Sequence, residues 1–321
     1  MRISLPRHVL LVVILVSVLG NILLGGFIAV SQKNTPTNNS KDSPTSLPYL
    51  SPRIFSENPN DVIINFIDLR NQLREYTKKI PEQLGIYFEY LPSGTSIGIN
   101  EKEEFELASL LKVPIAMAAI DQIQSGKINA STLLTLNKSH LDPYYGELWQ
   151  EGPGYKLTLE KAIEIMLTKS DNTAAGGISD ALPTGSTEKI FDLLDIPKVQ
   201  KGAALVVTPK NYSSILRSLY LSSILQVSDS NDLLYTLTRT DFHDRIANGI
   251  PQTVKVAHKI GIHTEPDMTK SIFTDCGIIY VPKRPYILCV MVESDEAKAL
   301  QYMADISRII YTYVTSTNTT K

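Results

Sequence analysis

The sequence predicts an α/β domain of two lobes, a sheet assembled from both chain ends and an all-helical lobe between them, carried behind an apolar N-terminal segment. Three observations predict it. An uncharged apolar run opens the 321-residue chain, periodicities follow in the order helix, two strands, many helices, three strands, helix, and no linker appears after about Asn58. Strands near both ends of one globular segment make a single sheet, and the helices between them form a second layer. A cleft between two such lobes is the natural place for a site.

Each element follows from its residues. Residues 1–8 include Arg2 and Arg7, which favour a cytoplasmic N-terminus. Residues 9–30 carry no charge. As a helix they would be about 33 Å long, enough to cross a hydrocarbon core of roughly 30 Å, so a transmembrane anchor is expected. Ala29-Val30-Ser31 offers a small-x-small cleavage site, but the run exceeds the apolar region of a cleaved signal. Residues 31–57 place Pro36, Pro44, Pro48 and Pro52 among Ser, Thr and Asn with no apolar periodicity. That composition reads as a tether, spanning roughly 30 Å on average.

Residues 58–321 are expected to form the globular domain. Val62, Ile63, Phe66, Leu69 and Leu73 lie at helical spacing between Asp61 and Lys78. Ile86–Tyr90 and Thr95–Ile99 flank Pro92-Ser93-Gly94, a hairpin signal. Apolar helices are expected around 109–124, 158–168, 187–195 and 209–221. Strands are expected at Val254–Ile260, Asp275–Tyr280 and Tyr286–Val292, with a closing helix from Asp295 to Tyr313.

Composition narrows the chemistry. A formal net charge of −2 gives no basic surplus for nucleic acid. Two cysteines exclude a disulfide scaffold and a Cys-rich zinc site, and the five histidines form no HExxH pattern. No cofactor or metal is expected.

Serine and lysine remain. Ser109-Leu110-Leu111-Lys112 opens an apolar helix after the second strand, and residues three apart share a helical face. A serine nucleophile needs an adjacent base, which a partly desolvated lysine can supply. The helix N-terminus offers a backbone N–H to a developing oxyanion. Ser186-Thr187-Glu188-Lys189 has the same spacing, but its serine follows Pro183 and Gly185 and reads as an ordinary helix cap. Ser170-Asp171-Asn172 joins two helical stretches and has the composition of a cap or turn. Lys259-Ile260-Gly261 lies near the expected end of a strand, where glycine would admit close approach by a ligand.

In this order, separated by 61 and 89 residues, the three elements resemble the S-x-x-K, S-D-N and K-T-G set of class A β-lactamases and penicillin-binding D,D-peptidases. The likeness covers roughly residues 58–315 and includes Thr208-Pro209 opening a helix and Asp275–Tyr280 as the strand after Lys259. It implies the β-lactamase/transpeptidase-like two-lobed fold, with an antiparallel sheet. It further implies that Ser109 is acylated with Lys112 as general base, and that Ser170 relays a proton under the field of Lys259. Asn172 would bind the substrate amide and steady Lys112, Asp171 would be structural, and the backbone N–H groups of Ser109 and Ile262 would hold the oxyanion. Peptidoglycan stem peptides or β-lactams are the implied substrates.

Two departures shape the functional expectation. Ile260 stands where the family has Thr or Ser, whose hydroxyl binds a substrate carboxylate. Losing a hydrogen bond to a charged group costs about 1.5–3 kcal/mol, unless Lys259 or a neighbour such as Lys270 compensates. The stretch Ile196–Val207 contains no acid and no Glu-x-x-Leu-Asn loop, which in class A enzymes activates the deacylating water. The acyl-enzyme should then be long-lived. The expected function is a membrane-anchored D,D-peptidase-type serine hydrolase with its catalytic domain outside the cytoplasm. The alternatives are a β-lactamase with a non-standard deacylation route, and a catalytically silent module that binds cell-wall peptide or protein.

His258 and His263 flank the Lys259 strand and read as ordinary strand residues. Cys276 and Cys289 fall on consecutive strands and are expected as packed free thiols. Tyr144, Tyr145 and Trp149 either line the cleft mouth or pack.

Overall fold

The computed structural model describes Tyr49 and residues 65–202, 204–264 and 271–316, all within one compact unit spanning Leu47–Lys321. The expected anchor and, apart from Tyr49, the expected tether lie outside these residues, as does Lys270. Among the described residues no helix is long and apolar enough to cross a membrane.

The five-stranded sheet is built from both ends of the domain. Its order is β2 (Thr95–Ile99), β1 (Leu84–Tyr90), β10 (Tyr286–Ser294), β9 (Ser271–Ile279) and β8 (Val256–Thr264), and every pairing is antiparallel. Strict alternation splits the strands between two cores. Ile86, Phe88, Tyr90, Leu288, Val290 and Val292 face one cluster, completed by Leu69 and Leu73 of α1 (Ile67–Thr77) and Met303, Ile306 and Ile310 of α8 (Glu296–Ser316). Tyr87, Ala257, Cys276, Ile278, Ile287, Cys289 and Met291 face the opposite way, into the helical lobe. Both faces are thus covered, which explains why β1 and β10 are buried almost throughout.

The helical lobe contains α2 (Lys112–Gln124), α3 (Leu159–Thr168), α4 (Asn172–Ala181), α5 (Ser186–Leu193), α6 (Pro209–Tyr220) and α7 (Val227–Leu237), with an antiparallel ribbon of β4 (Leu133–Thr135) and β5 (Lys156–Thr158). At its centre lies α2, with Lys112 to Ala119 buried without a break. Helix α6 seats Tyr212, Ile215, Leu216 and Leu219 against the core. Thr208 caps it by accepting from Asn211 N at 3.0 Å, with Pro209 in its first turn.

Several expectations are corrected. The strand carrying Lys259 continues past Ile260 to Thr264, because pairing to β9 runs unbroken to Ser271. Gly261 therefore lies within the strand rather than at its end. The acid-free stretch Ile196–Val207, for which no strand was expected, carries regular structure. It forms the hairpin β6 (Val199–Lys201) and β7 (Ala204–Val207), and β7 pairs with β3 (Phe105–Glu106) just before Ser109. Ser186 is not the cap of α5. Gly185 holds that position at φ 83°, and Ser186 Oγ donates to Pro183 O at 2.6 Å. Cys276 and Cys289 are direct cross-strand neighbours and free thiols, as expected.

Candidate active site

The site is assembled where α2, the start of α4 and strand β8 converge. Ser109 lies in a short 3-10 turn, Ala108–Leu111, that runs straight into α2 at Lys112. Ala108 enters this turn at φ 43°, a conformation that costs a residue with a Cβ roughly 1–2 kcal/mol. Contacts on both sides hold it there. Leu107 N donates to Leu205 O of β7 at 2.8 Å, and Leu110 N donates to Leu107 O at 2.9 Å.

Lys112 is the hub. Its side chain is 4% exposed, and its Nζ lies 2.9 Å from Ser109 Oγ, 2.5 Å from Ser170 O, 2.5 Å from Asn172 Oδ1 and 3.1 Å from Ser170 Oγ. Burial pushes its ammonium down to about 8, against the opposing pull of Asp171 and Asp142. A neutral amine has two N–H groups and one lone pair. Ser170 O and Asn172 Oδ1 can only accept, so they take the two N–H groups and the lone pair is left facing the Ser109 hydroxyl. That is the arrangement of a base poised on a serine.

Ser170 and Asn172 reach Lys112 because Asp171 fixes the turn between them. Fully buried, Asp171 caps α4 by accepting from Ala174 N at 2.8 Å, while its other oxygen accepts from Leu148 N at 2.9 Å. Asn172 N donates to Tyr145 O at 3.0 Å. The aromatic loop around Tyr145 is thereby fastened to the site. Gly146 is required there, since a Cβ at that position would sit 2.0 Å from Asp171 Oδ2. Tyr144 is 86% exposed and Trp149 37% exposed, so these two rings are open to solvent rather than packed in the core.

From the sheet side, fully buried Lys259 donates to Ser170 Oγ at 2.8 Å and to Ile260 O at 2.9 Å. Burial, then the charges of Lys112 and Arg245, push its ammonium well below the usual lysine range, and Asp275 pulls the other way. Gly261 brings the strand against the serine turn, its missing Cβ facing Ser109 N and Leu107 O at 3.4 Å. Ile262 is the next residue on this edge strand. Ile260 is 1% exposed and pairs with Asp275.

The structure thus brings together Ser109, Lys112, Ser170, Asn172 and Lys259, with Asp171 and Gly261 supporting them. Three neighbours were not anticipated. Arg245 is 2% exposed, pairs with Asp244 at 2.7 Å, and has an Nε with no partner among the described residues. Nothing in Asp244-Arg245-Ile246 announces a buried charge. Asp275 joins His258 Nδ1 at 2.8 Å and Ile246 N at 3.1 Å. An acid inside the apolar run Phe273–Ile279 was its one sequence signal. Glu106 pairs with His263 Nδ1 at 2.8 Å. Among the described residues no cluster of potential metal ligands occurs.

Comparison with known proteins finds relatives of the same fold. A beta-lactamase of Phocaeicola vulgatus is 22% identical over 280 residues, covering 78% of this chain and 86% of that protein. The solved structure of PBP-A superposes with a TM-score of 0.70 at 23% identity, covering 77% of this chain and 95% of that one. A point mutant of PBP-A solved as an acyl-enzyme complex with penicillin G gives 0.69 at 23% identity, covering 76% and 95%. The fold of these structures is the two-lobed one described above. The model of the beta-lactamase enzyme family matches residues 68–314, so the chain belongs to that family as a class A β-lactamase-like serine hydrolase.

Proposed function

We propose that this protein is a membrane-anchored D,D-peptidase-type enzyme that forms an acyl-enzyme at Ser109 on peptidoglycan-type D-alanyl peptides. The observation that carries the reading is the Lys112 hub. A buried amine with an ammonium lowered to about 8 contacts Ser109 Oγ at 2.9 Å. Lys112 takes the Ser109 proton as Oγ attacks the substrate carbonyl. The oxyanion is received by the N–H groups of Ser109 and Ile262. Ser170, held between Lys112 and Lys259, passes a proton to the leaving nitrogen. Asn172 orients Lys112 and the substrate amide.

Two further observations favour this substrate class. Fully buried Lys259, which already donates to Ser170 Oγ, offers an N–H donor to a terminal carboxylate even though Ile260 has no hydroxyl. The acid-free hairpin β6–β7 supplies no carboxylate to activate a deacylating water, so acyl transfer to an amine is better served than rapid hydrolysis. Residues 9–30 and 31–57 would hold the domain close to the outer membrane surface.

The test follows a fluorescent penicillin on the full-length protein in detergent over hours, beside Ser109→Ala. The expected result is a stable adduct that requires Ser109. Rapid release of hydrolysed penicillin would replace this reading with that of a β-lactamase. Absence of any adduct would replace it with a binding module. Fractionation of cells expressing the full chain is expected to place it with the membranes.

A further inference from the structure

The serine turn and the edge strand β8 meet beside the pocket assigned above to the oxyanion, and one side-chain contact ties them together there. His263 Nδ1 lies 2.8 Å from Glu106 Oε2. His263 directly follows Ile262, and Glu106 precedes Ser109 by three residues. Side chains alternate along a strand, so His263 shares the face of Lys259 and Gly261, the face that meets Ser109 N. Among the described residues no other pair of ionisable side chains joins β8 to the segment 105–111. The second histidine of the strand differs, since His258 pairs with Asp275 inside the sheet.

The serine turn needs such a tie. Ala108 holds a left-handed conformation, which persists only where its surroundings over-determine it. Leu107 N is fastened to β7, and Glu106 is fastened to β8. We propose that the Glu106–His263 pair is a positioning clamp for the oxyanion pocket, setting the separation between the Ser109 and Ile262 N–H groups. The proposal rests on the reading of those two donors given above. Both side chains are partly exposed, at 20% and 36%. Pairs in that setting add little to stability, so the clamp acts through geometry.

The test uses full-length His263→Ala, Glu106→Ala, the double variant and His263→Asn, with acylation by a fluorescent penicillin resolved into a binding constant and an acylation rate constant. Each alanine variant is expected to lose about tenfold in the rate constant with binding unchanged, the scale of donors displaced rather than removed. The double variant loses no more than either single one. His263→Asn, which keeps a donor near the Nδ1 position, recovers most of the rate. A purely structural pair would lower the melting temperature and leave the acylation rate constant untouched, and that result, or additive losses, overturns the clamp. Phenylboronic acid is measured in parallel, because its tetrahedral serine adduct needs the oxyanion donors and no substrate carboxylate. If penicillin fails to acylate the wild type, boronate binding about tenfold weaker in both alanine variants still supports the clamp. Equal boronate affinity in all forms, or no binding in any, overturns it.

Discussion

Two serine–lysine pairs of the same spacing occur in this domain, Ser109 with Lys112 and Ser186 with Lys189, and their surroundings send them in different directions. Lys112 is buried at the head of a helix with no exposed face for its ammonium, so it turns to Ser109, Ser170 and Asn172. Lys189 is half exposed and pairs with Asp121 at 2.8 Å, while Ser186 donates to Pro183 O. Spacing brings a serine and a lysine onto one helical face. Only desolvation turns the lysine into a base, by making its charged form costly. The comparison therefore locates the chemistry in the burial of Lys112 rather than in the motif.

The largest effect expected from breaking that contrast is at the serines. Ser109→Ala should lower acylation on the order of 10⁴-fold or more, while Ser186→Ala leaves it within about twofold, since its hydroxyl serves only a local turn. Comparable losses from both would show that spacing alone was enough. At the lysines, Lys112→Met should cost about 10²–10⁴-fold, the usual worth of a general base, and Lys189→Met should cost nothing measurable. The same pair separates function from stability. Lys112→Met removes a costly buried charge but leaves Ser170 O and Asn172 Oδ1 without their donor, two effects of opposite sign on stability. Lys112→Met is thus expected to change the melting temperature little while lowering acylation by that factor, and a large destabilisation would mean that Lys112 chiefly holds the lobe together.

Sharpening the comparison with pH gives a smaller, graded effect. With its ammonium at about 8, Lys112 is mostly protonated at neutral pH, and only the neutral form accepts the Ser109 proton. Acylation should rise about tenfold per pH unit up to about 8 and flatten above it. The stability consequence has a definite sign. The folded value lies below the ordinary 10.5, so between about 8 and 10.5 the unfolded chain binds more protons, and stability rises with pH. Urea unfolding across that range should show a steeper rise for wild type than for Lys112→Met. Equal slopes would place the Lys112 ammonium back in the ordinary lysine range.

The contrast also shows what could be read from the residues alone. Hairpin β1–β2, the three C-terminal strands and α6 were legible because alternation and helical periodicity report directly which face is buried. Ser109, Lys112, Ser170, Asn172 and Lys259 were legible as a set because three short elements recur in a fixed order. The extension of β8 through Gly261 was not, because glycine reads as a break and only pairing with β9 shows that it continues. The β3, β6 and β7 strands were missed because two to four residues carry no period. Arg245 and the Glu106–His263 pair were missed for another reason. Their roles depend on what distant segments bring beside them, and local sequence holds no record of that.

The smallest predicted effect separates the two helix starts nearest these motifs. Asp171 caps α4 and also satisfies the N–H of Leu148. Asp171→Ala removes a cap worth about 1 kcal/mol and leaves a buried N–H unpaired at about 1–3 kcal/mol, a loss of roughly 2–4 kcal/mol. Because Asn172 is the next residue, acylation should fall as well. Gly185, at the corresponding position of α5, has φ 83° and open space around its missing Cβ. Gly185→Ala should therefore cost only the conformational penalty of about 1–2 kcal/mol and leave acylation unchanged. Urea unfolding and penicillin labelling of both variants measure the four quantities. If Gly185→Ala slowed acylation as much as Asp171→Ala, both helix starts would bear on the site through the packing of the whole lobe. If only Asp171→Ala does so, its cap acts locally, by holding Ser170 and Asn172 against Lys112.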